Sequence, residues 1–347
     1  MSDTYKRAVF VGEKEIRIDE VPIPEPGPHQ ALVKVKACAL CTWEQRMYFG
    51  HEKIYPLSGG HEVAGELVSV GPYVHLDAKP GDRVMCSPLN RCGYCDACRN
   101  GLDNICENAN KPVNDSDVPG PAGLAEYMLL EDYQVFKSKN DIPFEELALS
   151  EPLACVTRSI RKSNLKASEN AVIIGAGIMG LLHLRLAKNM GARVIVSEVN
   201  QERAQMAKKM GADEVIDPTQ GGYTDQIKAL TDGRGADVVY CAVSIASALE
   251  QSFDAIARGG RVMVYASIYP KGSKISIDPN PFHSREITLT GTVSQGREDV
   301  HTAVKMISNR LFDMRPFISK TYPFSSIHEA FEAAIKPDTY RVVLTMD

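Results

Sequence analysis

Between residues 171 and 198 the chain carries a pattern that few folds accommodate. The run Ala171-Val172-Ile173-Ile174 is short, apolar and β-branched enough to be a buried parallel strand. Gly175-Ala176-Gly177-Ile178-Met179-Gly180 follows at once, with G-x-G-x-x-G spacing. Leu181, Leu182, Leu184, Leu186 and Met190 then keep a helical pattern that stops at Gly191, and Arg193-Val194-Ile195-Val196 reads as a second strand closing on Glu198. Gly175 permits the tight turn, Gly177 lets a pyrophosphate approach the backbone, and Gly180 lets helix and strand pack closely. Free N–H groups at the helix start, at Ile178 and Met179, are expected to hold the anion. Glu198, 18 residues past Gly180, stands where a carboxylate meets the adenosine ribose hydroxyls. A glycine turn in an ordinary βαβ unit could use the same three glycines. The acid ending the second strand is what points to a dinucleotide.

The chain has 347 residues, enough for two domains and a sizeable core. Its net charge of −5 gives no basic excess for nucleic acid, and no like-charge run marks a tail. No apolar stretch approaches the roughly 20 residues of a bilayer crossing. Residues 1–10 lack an apolar signal core. No nucleic-acid or membrane partner is therefore expected, and the expected location is cytoplasmic. In that reducing compartment nine cysteines argue for metal rather than disulfides.

Residues 1–90 read as β, with strands at 7–11, 15–18, 31–36, 62–70 and 83–85. Pro22, Pro24, Pro26 and Pro28 suggest an extended linker between the second and third. Short strands with turn signals at this spacing suggest a partly closed barrel. One more strand is expected at 125–130, then a helical stretch over 147–159 interrupted at Glu151-Pro152. From Ala171 the pattern alternates, with helices at 201–210, 223–231 and 246–258 and strands at 214–216, 237–240 and 261–265, as in a doubly wound parallel sheet. Beyond 278 a strand at 286–290, helices at 301–309 and 327–335 and a strand at 342–345 complete the chain.

Cys92-x2-Cys95-x2-Cys98-x7-Cys106 suits a closed tetrahedral zinc site. An iron–sulfur cluster uses similar spacing. Four ligands leave no open position, so such a zinc would be structural. Cys41 and Gly60-His61-Glu62 lie 20 residues apart, outside any short metal-finger spacing. Spacing alone leaves metal binding and simple core packing equally open there. Cys38, Cys86, Cys155 and Cys241 read as small core residues.

Cys41, Gly60-His61-Glu62, Pro80-Gly81-Asp82-Arg83-Val84, the four-cysteine loop, Glu151-Pro152-Leu153 and the glycine loop together resemble the zinc-dependent medium-chain dehydrogenase/reductase family, especially its polyol (sorbitol-type) branch. The resemblance covers essentially the whole length. It implies a GroES-like catalytic domain built from both chain ends, 1–150 and 287–347, with a Rossmann domain inserted at 151–286. It also implies a catalytic zinc held by Cys41 and His61, with Glu62 and Glu151 as further ligands, beside the structural zinc. Zinc with an open position would act as a Lewis acid on a secondary alcohol or ketone while hydride moves to or from NAD. The resemblance further implies a homodimer or homotetramer.

Departures matter too. The family usually places serine or threonine two residues after the cysteine, then aspartate. Here the order is Cys41-Thr42-Trp43-Glu44, and an indole cannot pass a proton as a hydroxyl does. Thr42, Glu44, His51 or a water are the candidates for the relay, while Trp43 either walls the substrate pocket or packs in the core. Glu198 should repel a 2′-phosphate and favour NAD over NADP, although Arg203 could pair with such a phosphate. A threonine dehydrogenase-like reading is weakened by Arg46, which takes the place of that branch's usual histidine. A zinc- and nucleotide-binding redox sensor without turnover is the reading from another class. Loops 43–55, 111–121 and 267–281 are the expected pocket walls.

Overall fold

The computed structural model describes residues 3–109 and 118–346, so the expected pocket loop 111–121 lies outside the described residues up to position 117. The chain forms two compact units: Met1–Cys155 with Ser294–Asp347, and Val156–Val293.

In the first unit, the alternating stretch around Val33 and Val35 is the central strand Gln30–Ala39. Val33, Val35 and Cys38 on this strand share a core with Leu67, Val84, Val342 and Phe331. Seven strands make the sheet. Glu62–Val70 and Arg341–Thr345 flank the central strand antiparallel, Arg83–Cys86 and Val135–Lys137 extend one side, Ile318–Pro323 extends the other, and Tyr127–Glu131 also pairs with the centre. A separate hairpin joins Thr4–Gly12 to Glu15–Pro22. Two registers decide the chemistry. Ala39 lies opposite both Glu62 and Val343. Continued by two residues, these pairings bring Cys41 beside Gly60-His61 on one flank and Arg341 on the other, closing the long sequence gap by strand pairing alone.

The second unit is a six-stranded parallel sheet in the order Glu214–Ile216, Arg193–Ser197, Asn170–Ile174, Ala236–Cys241, Ile256–Val264, Thr288–Gly291. Numbered within the unit this is 3-2-1-4-5-6, the doubly wound order whose reversal beside the first strand creates a ligand crevice. Val172, Ile195, Val239 and Val262 fill its core with Leu249 and Phe253 of the helix Ala246–Asp254.

Several expectations are corrected. The strand at 286–290 is Thr288–Gly291, hydrogen-bonded parallel to Ile256–Val264, so it belongs to the Rossmann sheet and the return to the first unit falls at Ser294 rather than 287. The chain leaves the first unit after Cys155, inside the helix Ser150–Ser163. No interruption occurs at Glu151-Pro152. The break is at Leu149, and Pro152 lies in a first turn, where its missing N–H costs nothing. The helix expected over 246–258 stops at Asp254, because the chain turns extended from Ile256 to pair with Ala236. The proline stretch begins inside a strand, since Pro22 pairs with Thr4 at the hairpin edge. A helix at Thr42–Tyr48 and strands at Val135–Lys137 and Ile318–Pro323 have no counterpart in the sequence pattern. Among the described residues, no helix is long and apolar enough to cross a membrane.

Candidate active site

In the first unit, one ligand atom each from Cys41, His61 and Glu62 lies within 4.8 Å of the others. Cys41 caps the helix Thr42–Tyr48, and that helix carries Glu44 back under His61. Glu44 is fully buried; its Oε1 accepts from His61 Nδ1 at 2.6 Å and from Gly60 N at 3.0 Å. With Nδ1 so engaged, Nε2 is the nitrogen left for a metal, and the carboxylate fixes the ring's orientation. Gly60 has φ of 95°, and a Cβ there would sit 2.4 Å from Leu124 N, so only glycine lets this turn deliver His61.

Glu62 is also fully buried. Arg341 grips it bidentately, Nε to Oε2 at 2.9 Å and Nη2 to Oε1 at 2.6 Å. Each oxygen keeps a lone pair for a metal. With Cys41 as thiolate and His61 neutral, the forms in which they bind a metal, Cys41, Glu44 and Glu62 carry two more negative charges than Arg341 neutralises, and a divalent cation would balance them. The donor set therefore fits zinc. Burial raises the Cys41 thiol pKa, a shift that a bound cation would reverse. Burial pushes the His61 pKa down, but Glu44 and Cys41 prevail and lift it well above the usual imidazole range. Glu151 stands outside the 4.8 Å set. Burial pushes its carboxyl up to about 7, with His61 opposing and Glu62 adding to the rise. The Cys155 Sγ lies 3.4 Å from its Oε1. Cys155 is thus a partner of Glu151, whereas Cys38, Cys86 and Cys241 are the core residues expected.

Trp43 meets His61 edge-on, with ring centroids 5.9 Å apart, and packs against the core of the unit. Thr42 and His51 are exposed.

The sulfur atoms of Cys92, Cys95, Cys98 and Cys106 also converge within 4.8 Å. Backbone N–H groups of Cys92, Cys95, Cys98 and Asn108 point at these sulfurs from 3.3 to 3.5 Å. Such donors stabilise thiolates, and four converging thiolates fit a closed zinc site.

In the second unit the glycine loop joins Asn170–Ile174 to the helix Ile178–Asn189. A Cβ on Gly180 would lie 1.9 Å from Gly175 O, so that glycine serves helix–strand packing. A Cβ on Gly177 would meet nothing within 4 Å, and its φ of −69° suits any residue. Protein packing therefore gives no reason for glycine there; approach of a ligand to the backbone does. Ile178 and Met179 open the helix. Glu198 accepts from Ala176 N at 2.6 Å and Asn200 N at 2.8 Å, tying the second strand's end to the loop. Arg203 follows in the helix capped by Asn200.

Residues 27–140 match the model of the alcohol dehydrogenase GroES-like domain and residues 179–309 that of the zinc-binding dehydrogenase domain. The chain is 34% identical to the L-threonine 3-dehydrogenase of Pyrococcus abyssi over 94% of both chains. The chain belongs to the zinc-dependent medium-chain alcohol dehydrogenase family. Within that family it is also 28% identical to the sorbitol dehydrogenase of Halalkalibacterium halodurans over 96% of both chains. A protein of Sinorhizobium meliloti 1021, described as a zinc-binding dehydrogenase and bound to NADP, superposes with a TM-score of 0.88 at 27% identity, covering 99% of this chain and 100% of that one. As a family member the chain is a zinc-dependent alcohol dehydrogenase-type oxidoreductase acting on small molecules.

Sequence reasoning missed Arg341, Gln295 and Arg91. Arg341 had a signal, a charge opening the otherwise apolar strand Arg341–Thr345. Gln295 and Arg91 had none.

Proposed function

We propose that this dehydrogenase transfers hydride between NAD(H) and a secondary alcohol or its ketone, with a polyol or sugar-derived alcohol as substrate. The observation that carries it is the convergence of a thiol, an imidazole and a carboxylate around one point, with Glu44 orienting the imidazole. The substrates named for the two curated relatives, threonine and sorbitol, both carry a secondary hydroxyl with a heteroatom on the next carbon.

Cys41, His61 and Glu62 would hold the catalytic zinc, with Glu151 adjoining, and Cys92, Cys95, Cys98 and Cys106 the structural one. The catalytic ion would supply Lewis acidity to the substrate oxygen, and NAD the hydride acceptor. Glu44 keeps the His61 ring fixed, and its buried, doubly hydrogen-bonded carboxylate suits that task better than carrying a proton to water. Arg341 offsets the Glu62 charge. The proton leaves by way of Thr42 or His51, both exposed, since Trp43 offers no acceptor. Trp43, edge-on to His61, limits the width of the substrate pocket.

Glu198 supports NAD over NADP. A phosphate charge about 4 Å from its carboxylate would cost up to ~4 kcal/mol at an effective dielectric of 20. A second reading, amino-alcohol oxidation, is favoured by the 34% identity to threonine 3-dehydrogenase and weakened by Arg46.

The test is a screen of polyols, their phosphates and L-threonine with NAD and with NADP, following reduced-cofactor absorbance, alongside metal analysis. Turnover of polyols with NAD and two zincs per chain are expected. Turnover of threonine alone would overturn the substrate class, and equal efficiency with NADP would overturn the cofactor. One zinc per chain and no turnover would favour a binding protein.

A further inference from the structure

Arg91 precedes the first cysteine of the four-cysteine loop, yet only 6% of it is exposed. Its Nη1 donates to Asp103 O at 2.9 Å and its Nη2 to Gln295 O at 2.6 Å. Asp103 Oδ2 accepts from Arg297 N at 3.3 Å and from Arg297 Nε at 3.0 Å. Arg91 at the loop's entrance and Asp103 within it therefore grip positions 295 and 297, just where the chain re-enters the first unit at Ser294.

The grip continues inward. Gln295 is 1% exposed, and its side-chain Oε1 lies 3.2 Å from Cys155 Sγ, the sulfur that also approaches Glu151. A thiol has one proton and cannot donate to both oxygens. Turning the Gln295 amide over resolves this: Nε2–H donates to sulfur, and S–H donates to the Glu151 carboxylate. Amide orientation is assigned from such networks. Arg91, Gln295, Cys155 and Glu151 then form a continuous series of contacts within one unit.

We propose that Arg91 and Gln295 are positioning residues for Glu151. The metal-stapled loop fixes the re-entering segment, and Gln295 passes that constraint through Cys155 to the carboxylate. The inference rests on the reading of Glu151 as part of the catalytic centre. Its physical basis is that a carboxylate at such a site must be held to within about 0.5 Å, which a single thiol contact from its own helix does not achieve.

The decisive variant is Gln295→Met, which removes the amide and keeps the backbone carbonyl that Arg91 holds. Arg91→Ala tests the outer link, and Arg91→Lys, which reaches only one of the two carbonyls, should fall between Arg91→Ala and the parent. The readout is the alkylation rate of Cys155 by iodoacetamide, followed by peptide mass spectrometry on the folded, zinc-loaded protein, with kcat and KM measured in parallel. In Gln295→Met and Arg91→Ala, Cys155 loses the N–H donor that favours its thiolate, so it should react about tenfold slower, and kcat should fall about tenfold, with KM within about twofold. Cys38 and Cys86, fully buried, should stay protected. Unchanged or faster Cys155 reaction in both variants would overturn the link, faster reaction shared with Cys38 and Cys86 being the mark of general loosening. Slower alkylation with unchanged kcat would leave the link standing and overturn the place of Glu151 in the chemistry.

Discussion

His183 sets an acid limit on the nucleotide-binding unit. It is fully buried on the helix Ile178–Asn189. Nδ1 lies 2.7 Å from Met179 O and Nε2 2.9 Å from Ser159 Oγ. A carbonyl only accepts, so Nδ1 carries the proton and Nε2 accepts from the Ser159 hydroxyl. The rings of Tyr240 and Tyr265 pack at 4.8 and 4.5 Å. Burial lowers the imidazole pKa from 6.5 to about 4, with Met179 opposing weakly. Above pH 6.5 the folded and unfolded chains are both neutral here, and nothing is lost. As pH falls towards 4 the unfolded chain takes a proton that the folded chain refuses, so stability drops. At about 1.4 kcal/mol per pH unit, that gap amounts to about 3 kcal/mol. His183→Leu removes this share of the slope, whatever constant cost it adds by leaving Ser159 without its acceptor. The assay is urea unfolding across this pH range, followed by far-UV circular dichroism. Trp43, the single tryptophan, reports the first unit and serves as the contrast channel. Parallel stability–pH curves for the parent and His183→Leu would refute the reasoning.

Four further outcomes follow from the geometry. Gly177→Ala should leave the melting temperature unchanged while weakening NAD(H) binding about tenfold, or ~1.4 kcal/mol, by calorimetric titration. Gly180→Ala should instead destabilise the second unit by about 1–3 kcal/mol, because its Cβ would meet Gly175 O at 1.9 Å. Glu44→Gln should lower zinc affinity at the Cys41 site about 10- to 100-fold in a competition titration, with the four-cysteine site unaffected. Arg341→Met strands the Glu62 charge and should cost about 3–5 kcal/mol in denaturant unfolding, much of it recovered by adding Glu62→Gln.

The nucleotide-binding unit was largely legible in the sequence because its signals are local. A buried run, three glycines and a terminal acid occupy fewer than thirty consecutive residues and fix strand, turn and helix together. The four-cysteine loop was legible for the same reason. The cluster at Cys41 was not readable from spacing, since strand register brings it together, and register is a property of pairs of distant segments. Glu44 stood in the sequence as one of several relay candidates beside Thr42, His51 and water, and its bond to His61 was not legible because the helix Thr42–Tyr48, which turns it there, leaves no periodic trace in seven residues. The strand at 288–291 was placed in the wrong unit because a short edge strand looks alike in either sheet until its hydrogen bonds are known.

The salt bridge between Glu62 and Arg341 has a consequence for biosynthesis. Its two halves are 279 residues apart, so the acid emerges from the ribosome long before its counterion. The stretch 156–293 is continuous and can collapse while translation proceeds. The cluster around Cys41 cannot: it waits for the strand Arg341–Thr345, made after the strands that lead to Cys41 and Glu62 and after the whole of 156–293. A nascent chain therefore holds a collapsed second unit and an unneutralised Glu62 until Arg341 has been made.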